Sequence, residues 1–230
     1  MKTRLLIFCS GLLLFTACSE TSEEEPLLQP PMVVAAVSDM AEQERGIDAV
    51  PESNAIQIQW MKQNIYDGYQ LYRKSQSQDE FDLFAEISGE DSTYLDIEVE
   101  QFKRYFYYII GFSDRQSAPS DTVNYMLVTK AYNLSVSLQD SIIFHWQLED
   151  IAPDEYILKL FDDTSNEKIW FSRIQSSYQG MSESVIYNWD GMAASRDLEA
   201  DVRYRWRVDI VGPAHRSGSE SRWHRFELPQ

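Results

Sequence analysis

The sequence has 230 residues, of which 43% are hydrophobic and 25% are charged, enough to build two domains of about 100 residues each. Its formal net charge of −17 disfavours nucleic acid and anionic lipid headgroups as general partners, because both are themselves negative. The two cysteines, Cys9 and Cys18, both lie near the N-terminus, so we expect neither a structural disulfide nor a cysteine zinc site in the folded part of the chain.

The first predicted element is a signal peptide at residues 1–17. A short basic region precedes an apolar run that is too short to span a bilayer, and the small residue Ala17 stands directly before Cys18. This order resembles the lipobox of bacterial lipoproteins, which implies cleavage before Cys18 and acylation of its thiol and new amino group. We therefore predict lipid attachment, such as palmitate, at Cys18 as the membrane contact. The alternative is an ordinary signal peptide with a chance cysteine.

Residues 18–31 are predicted to be a disordered acidic tether. The stretch contains four glutamates and three prolines and lacks the apolar periodicity that packing requires. Ser19 stands where an Asp would resemble an inner-membrane retention signal. We therefore expect an outer membrane lipoprotein, facing the periplasm or exposed on the cell surface.

A first set of short, alternating strands is predicted between residues 32 and 129. Ile56, Ile58 and Trp60 share one strand face, and a nearly continuous apolar strand covers 104–112. Six or seven such strands, separated by turn residues, are typical of an antiparallel β-sandwich.

Residues 130–230 repeat this order and predict a second sandwich. Trp146 corresponds to Trp60, and Tyr204 corresponds to Tyr105. A doubled pattern of this kind predicts two domains, 32–129 and 130–230, with little linker between them.

Both halves resemble fibronectin type III domains. That family has a buried Trp on its second strand and an apolar residue six positions before the Tyr of its sixth strand, and the pairs Val99–Tyr105 and Leu198–Tyr204 fit this spacing. The resemblance implies an all-β chain of two tandem immunoglobulin-like sandwiches, each with a tyrosine corner. It also implies binding rather than catalysis, although a fold alone does not give a function.

No motif in the sequence indicates catalysis. The three histidines (His145, His215 and His224) lack the carboxylate or cysteine spacing of a metal site. A Gly-x-Ser-x-Gly elbow, a phosphate-binding loop and a 12-residue calcium loop are all missing from the sequence. We therefore predict no enzyme activity, no cofactor and no metal ligand.

Two outward strand faces are candidate contact sites. Phe106 and Tyr108 should point away from the first core, near Tyr72. A row of large outward side chains usually indicates contact, either with a partner or with another part of the same chain.

The second face carries Arg203, Arg205 and Arg207 with interleaved tryptophans. It is similar to the arginine–tryptophan ladder of cytokine-receptor fibronectin domains, in which guanidinium planes stack on indoles. Two interpretations stay open: arginines stacked on aromatic rings and paired with acidic neighbours, or a basic patch for an anionic partner.

Together these features predict a non-catalytic, lipid-anchored binding or scaffold protein of the cell envelope, whose partner is another envelope or extracellular protein. One alternative is a surface glycan-binding lipoprotein in which exposed rings such as Trp170 and Trp189 stack on sugars. Another is an accessory subunit of a hydrolase or uptake system.

Overall fold

The first seven strands form one β-sandwich. The structure is a computed structural model that describes residues 28–176 and 182–229. The strands of this first sandwich are β1 Ile47–Ala49, β2 Ile56–Gln59, β3 Gly68–Ser75, β4 Asp82–Ser88, β5 Thr93–Asp96, β6 Arg104–Phe112 and β7 Val123–Leu127. One sheet has the order β1-β2-β5, and the facing sheet has the order β4-β3-β6-β7.

The remaining eight strands form a second sandwich. They are β8 Tyr132–Leu138, β9 Ile142–Gln147, β10 Glu155–Asp162, β11 Lys168–Gln175, β12 Ser182–Ile186, β13 Arg203–Val211, β14 Ser217–Glu220 and β15 His224–Glu227. One sheet has the order β8-β9-β12; in the other, β11-β10-β13 is extended by β14 and β15, which both pair with β13. This confirms the predicted all-β fold of two sandwiches. Among the described residues there is no helix that is long and apolar enough to cross a membrane.

The two cores repeat the same aromatic contact. Trp60 packs edge-on against Tyr69 with ring centroids 5.3 Å apart, and Trp146 packs edge-on against Tyr156 at 5.2 Å. All four rings are buried, because alternation along β3, β9 and β10, and its continuation one residue past the end of β2, turns them to the inner face of their sheet. Large aromatic side chains contribute most to burial in cores of this kind.

A tyrosine corner closes each sandwich. The hydroxyl of Tyr105 accepts a hydrogen bond from the backbone N–H of Glu100 at 3.2 Å, and the hydroxyl of Tyr204 accepts one from the N–H of Glu199 at 2.9 Å. These bonds tie the loop that enters the long strand to the strand itself. The arrangement is the one that the spacing of Val99 to Tyr105 and Leu198 to Tyr204 predicts.

The two sandwiches are joined into one continuous sheet. β7 and β14 pair in parallel, and this pairing gives a nine-stranded sheet that crosses the domain junction. The N–H of Met126 donates to the carbonyl of Arg216 at 3.1 Å, and the N–H of Val128 donates to the carbonyl of Gly218 at 3.1 Å. Backbone groups of β7 and β14 that would be exposed at an open sheet edge therefore form hydrogen bonds with the other domain.

The segment 28–31 belongs to the first sandwich, so the predicted disordered tether of 18–31 is wrong for its last four residues. Leu28 packs against the first hydrophobic cluster, and the carbonyl of Gln29 accepts a hydrogen bond from the hydroxyl of Tyr66. Leu28 is one of the few apolar residues of this stretch, and its burial fixes the chain that follows. Residues 18–27 lie outside the described residues.

Candidate binding surfaces and the domain junction

The N-terminal segment 35–46 reaches from the first sandwich to the second. The segment begins after Val34, whose N–H donates to the carbonyl of Gln59, and it ends at Gly46, whose N–H donates to the side-chain oxygen of Gln59. Gly46 has φ +89°, and a Cβ there would lie 2.6 Å from the carbonyl oxygen of Val34, so this turn requires glycine. On the far side, Glu42 forms a 3.0 Å ion pair with Lys168 of β11.

A buried ionic cluster lies under this segment. Its members are Glu44, Lys159, Arg207, Asp209 and Glu220. The ammonium of Lys159 lies 3.0 Å from Asp209, and the guanidinium of Arg207 lies 2.8 Å from Asp209 and 2.7 Å from Glu220. Glu44 forms ion pairs with both cations. Lys159 is 2% exposed and Arg207 is 5% exposed, so hydration does little to stabilise the charge of either side chain.

The protonation of this cluster follows from its burial. Burial and the negative charge of Asp209 raise the pKa of the Glu220 carboxyl far above its ordinary range. Although burial also acts on Glu44, a hydrogen bond from Glu220 and the charges of Arg207 and Lys159 hold the pKa of Glu44 at about 2. The proton of the hydrogen-bonded pair is therefore kept on Glu220 rather than on Glu44, while burial also raises the pKa of Asp209, which lies against both cations.

Three carboxyl groups at the junction have the spacing of metal ligands. Oxygens of Glu44, Asp48 and Glu220 all lie within 4.8 Å of one another. Arg207 and Lys159 already balance the charge of Glu44, and the Glu220 carboxyl, whose pKa is raised, would have to lose a proton to bind a cation. We therefore assign no metal to these residues.

Asp48 provides a pH-dependent contribution to stability. Burial, and then the nearby charge of Glu44, raise the pKa of Asp48 from 3.8 to about 7. Because the folded state binds this proton more tightly than the unfolded chain does, the contribution is full below about pH 4 and is lost as the pH rises through 7. We expect Asp48→Asn to be more stable than the natural chain at pH 8 by about 2–4 kcal/mol, and to show no such gain at pH 4.

Denaturant unfolding at both pH values measures this difference. The exposed Asp121→Asn is the matched control and should change neither value by more than about 0.5 kcal/mol. Equal effects of Asp48→Asn at pH 4 and pH 8 would contradict the assignment.

The three arginines of β13 have three different environments. Arg203 is exposed and pairs with Glu227 at 2.9 Å, whereas Arg205 is half-buried and lies 3.4 Å from Asp163. Arg207 is buried in the ionic cluster, so its predicted place on an open outer face is wrong. The reason is that the segment 35–46 covers this end of the face.

One tryptophan stacks with two of these arginines. The guanidinium carbons of Arg205 and Arg207 each lie 4.9 Å from the ring centroid of Trp223. Phe161 meets the same ring edge-on at 5.7 Å. The structure therefore contains a short arginine–tryptophan stack, with acidic partners for both arginines, as in the first of the two interpretations.

The outward aromatic side chains of the first sandwich form a compact cluster, which we call the aromatic face (Tyr72, Lys74, Phe81, Phe106 and Tyr108). Tyr72 and Tyr108 stack with centroids 4.8 Å apart, and Phe81 lies 4.8 Å from Tyr108. The ammonium of Lys74 lies over Phe81 and Phe106, at 5.0 and 5.9 Å. All five side chains are half-buried, so the cluster is ordered by its own contacts and still faces solvent.

The second sandwich contacts the first sandwich beside the aromatic face rather than on it. Arg104, the first outward residue of β6, donates hydrogen bonds to Asn124 at 2.6 Å and to the carbonyl of His215 at 2.7 Å. The contacts given above for Phe106 and Tyr108 are all with side chains of their own sandwich. The partial cover of the aromatic face is therefore local.

Of the two tryptophans proposed for sugar stacking, one is buried and the other is exposed. Trp170 is fully buried and donates its indole N–H to Asp190 at 2.9 Å, so it cannot stack on a sugar and that prediction is wrong. Trp189 is 56% exposed and donates its indole N–H to Ser172 at 3.0 Å. Glycan stacking on Trp189 stays a prediction, as does lipid attachment at Cys18, which lies outside the described residues.

Sequence reasoning missed Glu44, Lys159, Asp209 and Glu220 as one cluster. A local signal was present in β10, where Ile157 and Phe161 are apolar at the outward positions on either side of Lys159. Both are buried, which shows that this outer face is covered. This local signal could have indicated that the outer face of β10 is covered. It could not have indicated that the covering segment contains Glu44.

No family model and no curated protein matches the sequence. Among solved structures, the chain is similar to a segment of two fibronectin type III domains from chicken tenascin, with 16% identity, a TM-score of 0.33, and coverage of 80% of this chain and 96% of that one. It is also similar to the FN1–FN3 domains of chicken CNTN1, with 17% identity, a TM-score of 0.33, and coverage of 88% of this chain and 68% of that one. Likenesses at this level say nothing about a partner or an activity. The fold class stands on the strand order and the two tyrosine corners.

Proposed function

We propose that this chain is a non-catalytic, lipid-anchored binding or scaffold protein of the cell envelope, which contacts another protein through the aromatic face. The observation that carries the proposal is the stacked group of Tyr72, Tyr108 and Phe81 on an outer sheet face. Tyrosine and phenylalanine are enriched in protein interfaces, because they bring a large contact area at low cost in conformational entropy.

The domain junction supports this proposal because it makes the two sandwiches one body. The parallel pairing of β7 with β14 and the ion pairs of Glu44 to Lys159 and Arg207 both cross the junction. A body held in this way presents its surfaces in a fixed relation, so binding does not have to order the two domains first. This is a useful property for a scaffold at the end of a lipid-anchored tether.

A site-specific cross-link tests the proposal in intact cells. The full-length chain is made with photoreactive p-benzoylphenylalanine in place of Tyr108, and in a matched control in place of Ser135, an exposed residue of β8. We expect a discrete protein adduct from position 108 and none of the same mass from position 135. The same adduct from both positions, or none from position 108, would contradict a specific contact at the aromatic face.

The anchoring part of the proposal is tested in the same cells with Cys18→Ser. The natural chain should incorporate a palmitate analogue, and the variant should incorporate none and appear in a soluble or uncleaved form. If the partner is an envelope protein, loss of the anchor should also reduce the position-108 adduct. Persistent lipid on the Cys18→Ser chain would refute anchoring without affecting the aromatic-face contact.

A further inference from the structure

The region where the two sandwiches meet contains a second concave surface, which we call the Arg222 hollow (Glu52, Lys130, Tyr132, Arg222, Trp223 and Arg225). One cavity of about 350 Å³ is lined by Lys130, Tyr132, Arg222 and Trp223 together with neighbouring residues. A second, of about 370 Å³, is lined by Pro51, Glu52, Arg222, Trp223 and Arg225. Arg222 and Trp223 belong to both cavities, so they lie between two spaces that are each large enough for a small ligand.

Arg222 is the cation at the centre of this hollow. It is exposed, and it follows β14 in the short irregular segment that separates β14 from β15. Its neighbour Arg225 pairs with Asp163 at 2.8 Å. In the ranges 28–176 and 182–229, by contrast, no carboxylate forms an ion pair with the Arg222 guanidinium. The planar guanidinium therefore keeps its full set of donors for an oxyanion.

Lys130 adds a second cation that is fixed by the backbone. Its ammonium donates hydrogen bonds to the carbonyl oxygens of Val50 and Pro51, the latter at 3.3 Å. Burial lowers the pKa of Lys130 to about 8, so the group is still mostly protonated at neutral pH. Since its partners are neutral carbonyls, its charge is not balanced by a direct ion pair.

The charges of the hollow favour an anionic ligand. A third and smaller cavity, of about 110 Å³, is lined by Glu52 together with Lys130 and Arg222, so two positive groups there face one negative group. Asp163 is shared by Arg205 and Arg225, so its single negative charge balances these two arginines only in part. In a chain with a net charge of −17, a local positive surplus of this kind favours a ligand that carries a carboxylate or another oxyanion.

Trp223 provides an apolar surface beside these cations. Its ring is held by Arg205, Arg207 and Phe161, as described above, and it stays half-exposed at the wall of both cavities. A fixed indole next to the Arg222 guanidinium can contact the apolar face of a ring while the cations bind its acidic group. Rigid aromatic rings bind at low entropic cost.

We propose that the Arg222 hollow binds a uronate, a sugar ring that carries one carboxylate. Arg222 and Lys130 bind the carboxylate, and Trp223 packs against the ring. The volume of each cavity is that of a site for a small ligand rather than of an extended groove for a peptide. This site differs in place and in ligand from the aromatic face, so either proposal can fail without the other.

Calorimetric titration of the full-length chain in detergent tests this inference. The probes are trigalacturonate, the neutral galactose trisaccharide of the same linkage, triglutamate and sodium sulfate. We expect heat of binding with trigalacturonate and none with the other three. Equal binding of the neutral sugar would show that the carboxylate is not recognised. Equal or tighter binding of triglutamate would assign the site to an acidic peptide, and full competition by sulfate would reduce it to a non-specific charge effect.

Two matched variants locate the site. Arg222→Gln should weaken trigalacturonate binding by at least about tenfold, the effect of losing a charge-assisted hydrogen bond. Arg216→Gln makes the same charge change at an exposed arginine that lines other cavities, and it should leave the affinity unchanged. Equal losses in both variants, or unchanged binding by Arg222→Gln, would overturn the proposal. Because both side chains are exposed, neither substitution should prevent folding.

Discussion

Arg207→Ala is expected to lower the free energy of unfolding by about 3–5 kcal/mol. The substitution removes the cation that lies between Asp209 and Glu220 and that also pairs with Glu44, and it leaves Lys159 as the cation of the cluster. A buried carboxylate that loses its partner keeps the cost of desolvation without the compensating attraction. Denaturant unfolding of the purified chain at neutral pH measures the effect.

The matched control for this prediction lies four residues earlier on the same strand. Arg203→Ala removes an exposed guanidinium that pairs with the exposed carboxylate of Glu227, and a surface pair of this kind contributes about 0–1 kcal/mol. If the two variants were equally stable, the ionic cluster would not stabilise the junction. A variant such as Arg207→Met, which fills part of the volume without the charge, separates loss of packing from loss of charge.

Gly218→Val is expected to separate β7 from β14 and to destabilise the chain by about 1–3 kcal/mol. A Cβ at position 218 would lie 2.6 Å from the carbonyl oxygen of Ile210 and 2.9 Å from the hydroxyl of Tyr125. The first of these atoms is backbone, so the strand itself must move. The consequence should appear at the junction, while both hydrophobic cores stay packed.

Hydrogen exchange at two amides measures this directly. The N–H groups of Met126 and Val128 donate across the junction, so both should exchange faster in Gly218→Val. Ser135→Val, a change from a small residue to valine at an exposed position of β8, is the control and should leave both amides protected. Unchanged protection in Gly218→Val would show that the parallel pairing does not hold the two domains together.

The repeated core was predictable because strand alternation is a local property. Trp60 and Trp146 fall on the inner face of their strands in the sequence pattern, and both are buried against a tyrosine. Tyr105 and Tyr204 were likewise located by their spacing from Val99 and Leu198. In each case the neighbours that decide burial lie on strands that the same local pattern identifies.

The surfaces were less predictable because cover comes from distant parts of the chain. Trp170 and Phe171 are adjacent in β11, so alternation must turn one of them outward, yet both are buried. Phe161 of the neighbouring strand β10 packs edge-on against Phe171, with ring centroids 5.1 Å apart, and covers the outer face there. Sequence periodicity could not distinguish this covered position from that of Trp189, which stays exposed.

The sequence by itself determined the all-β class, the two repeated sandwiches and their tyrosine corners. Side chains alternate between the two faces of a strand, and the tyrosine corner has a fixed residue spacing, so both features depend only on neighbouring strands. Only the tertiary structure decided that Arg207 is buried and that the two sandwiches share one sheet. Glu44 meets Arg207 across 163 positions of sequence, and β7 meets β14 from another domain. Contacts between residues so far apart in the sequence follow from the complete arrangement of both sandwiches. No local pattern in either segment indicates them.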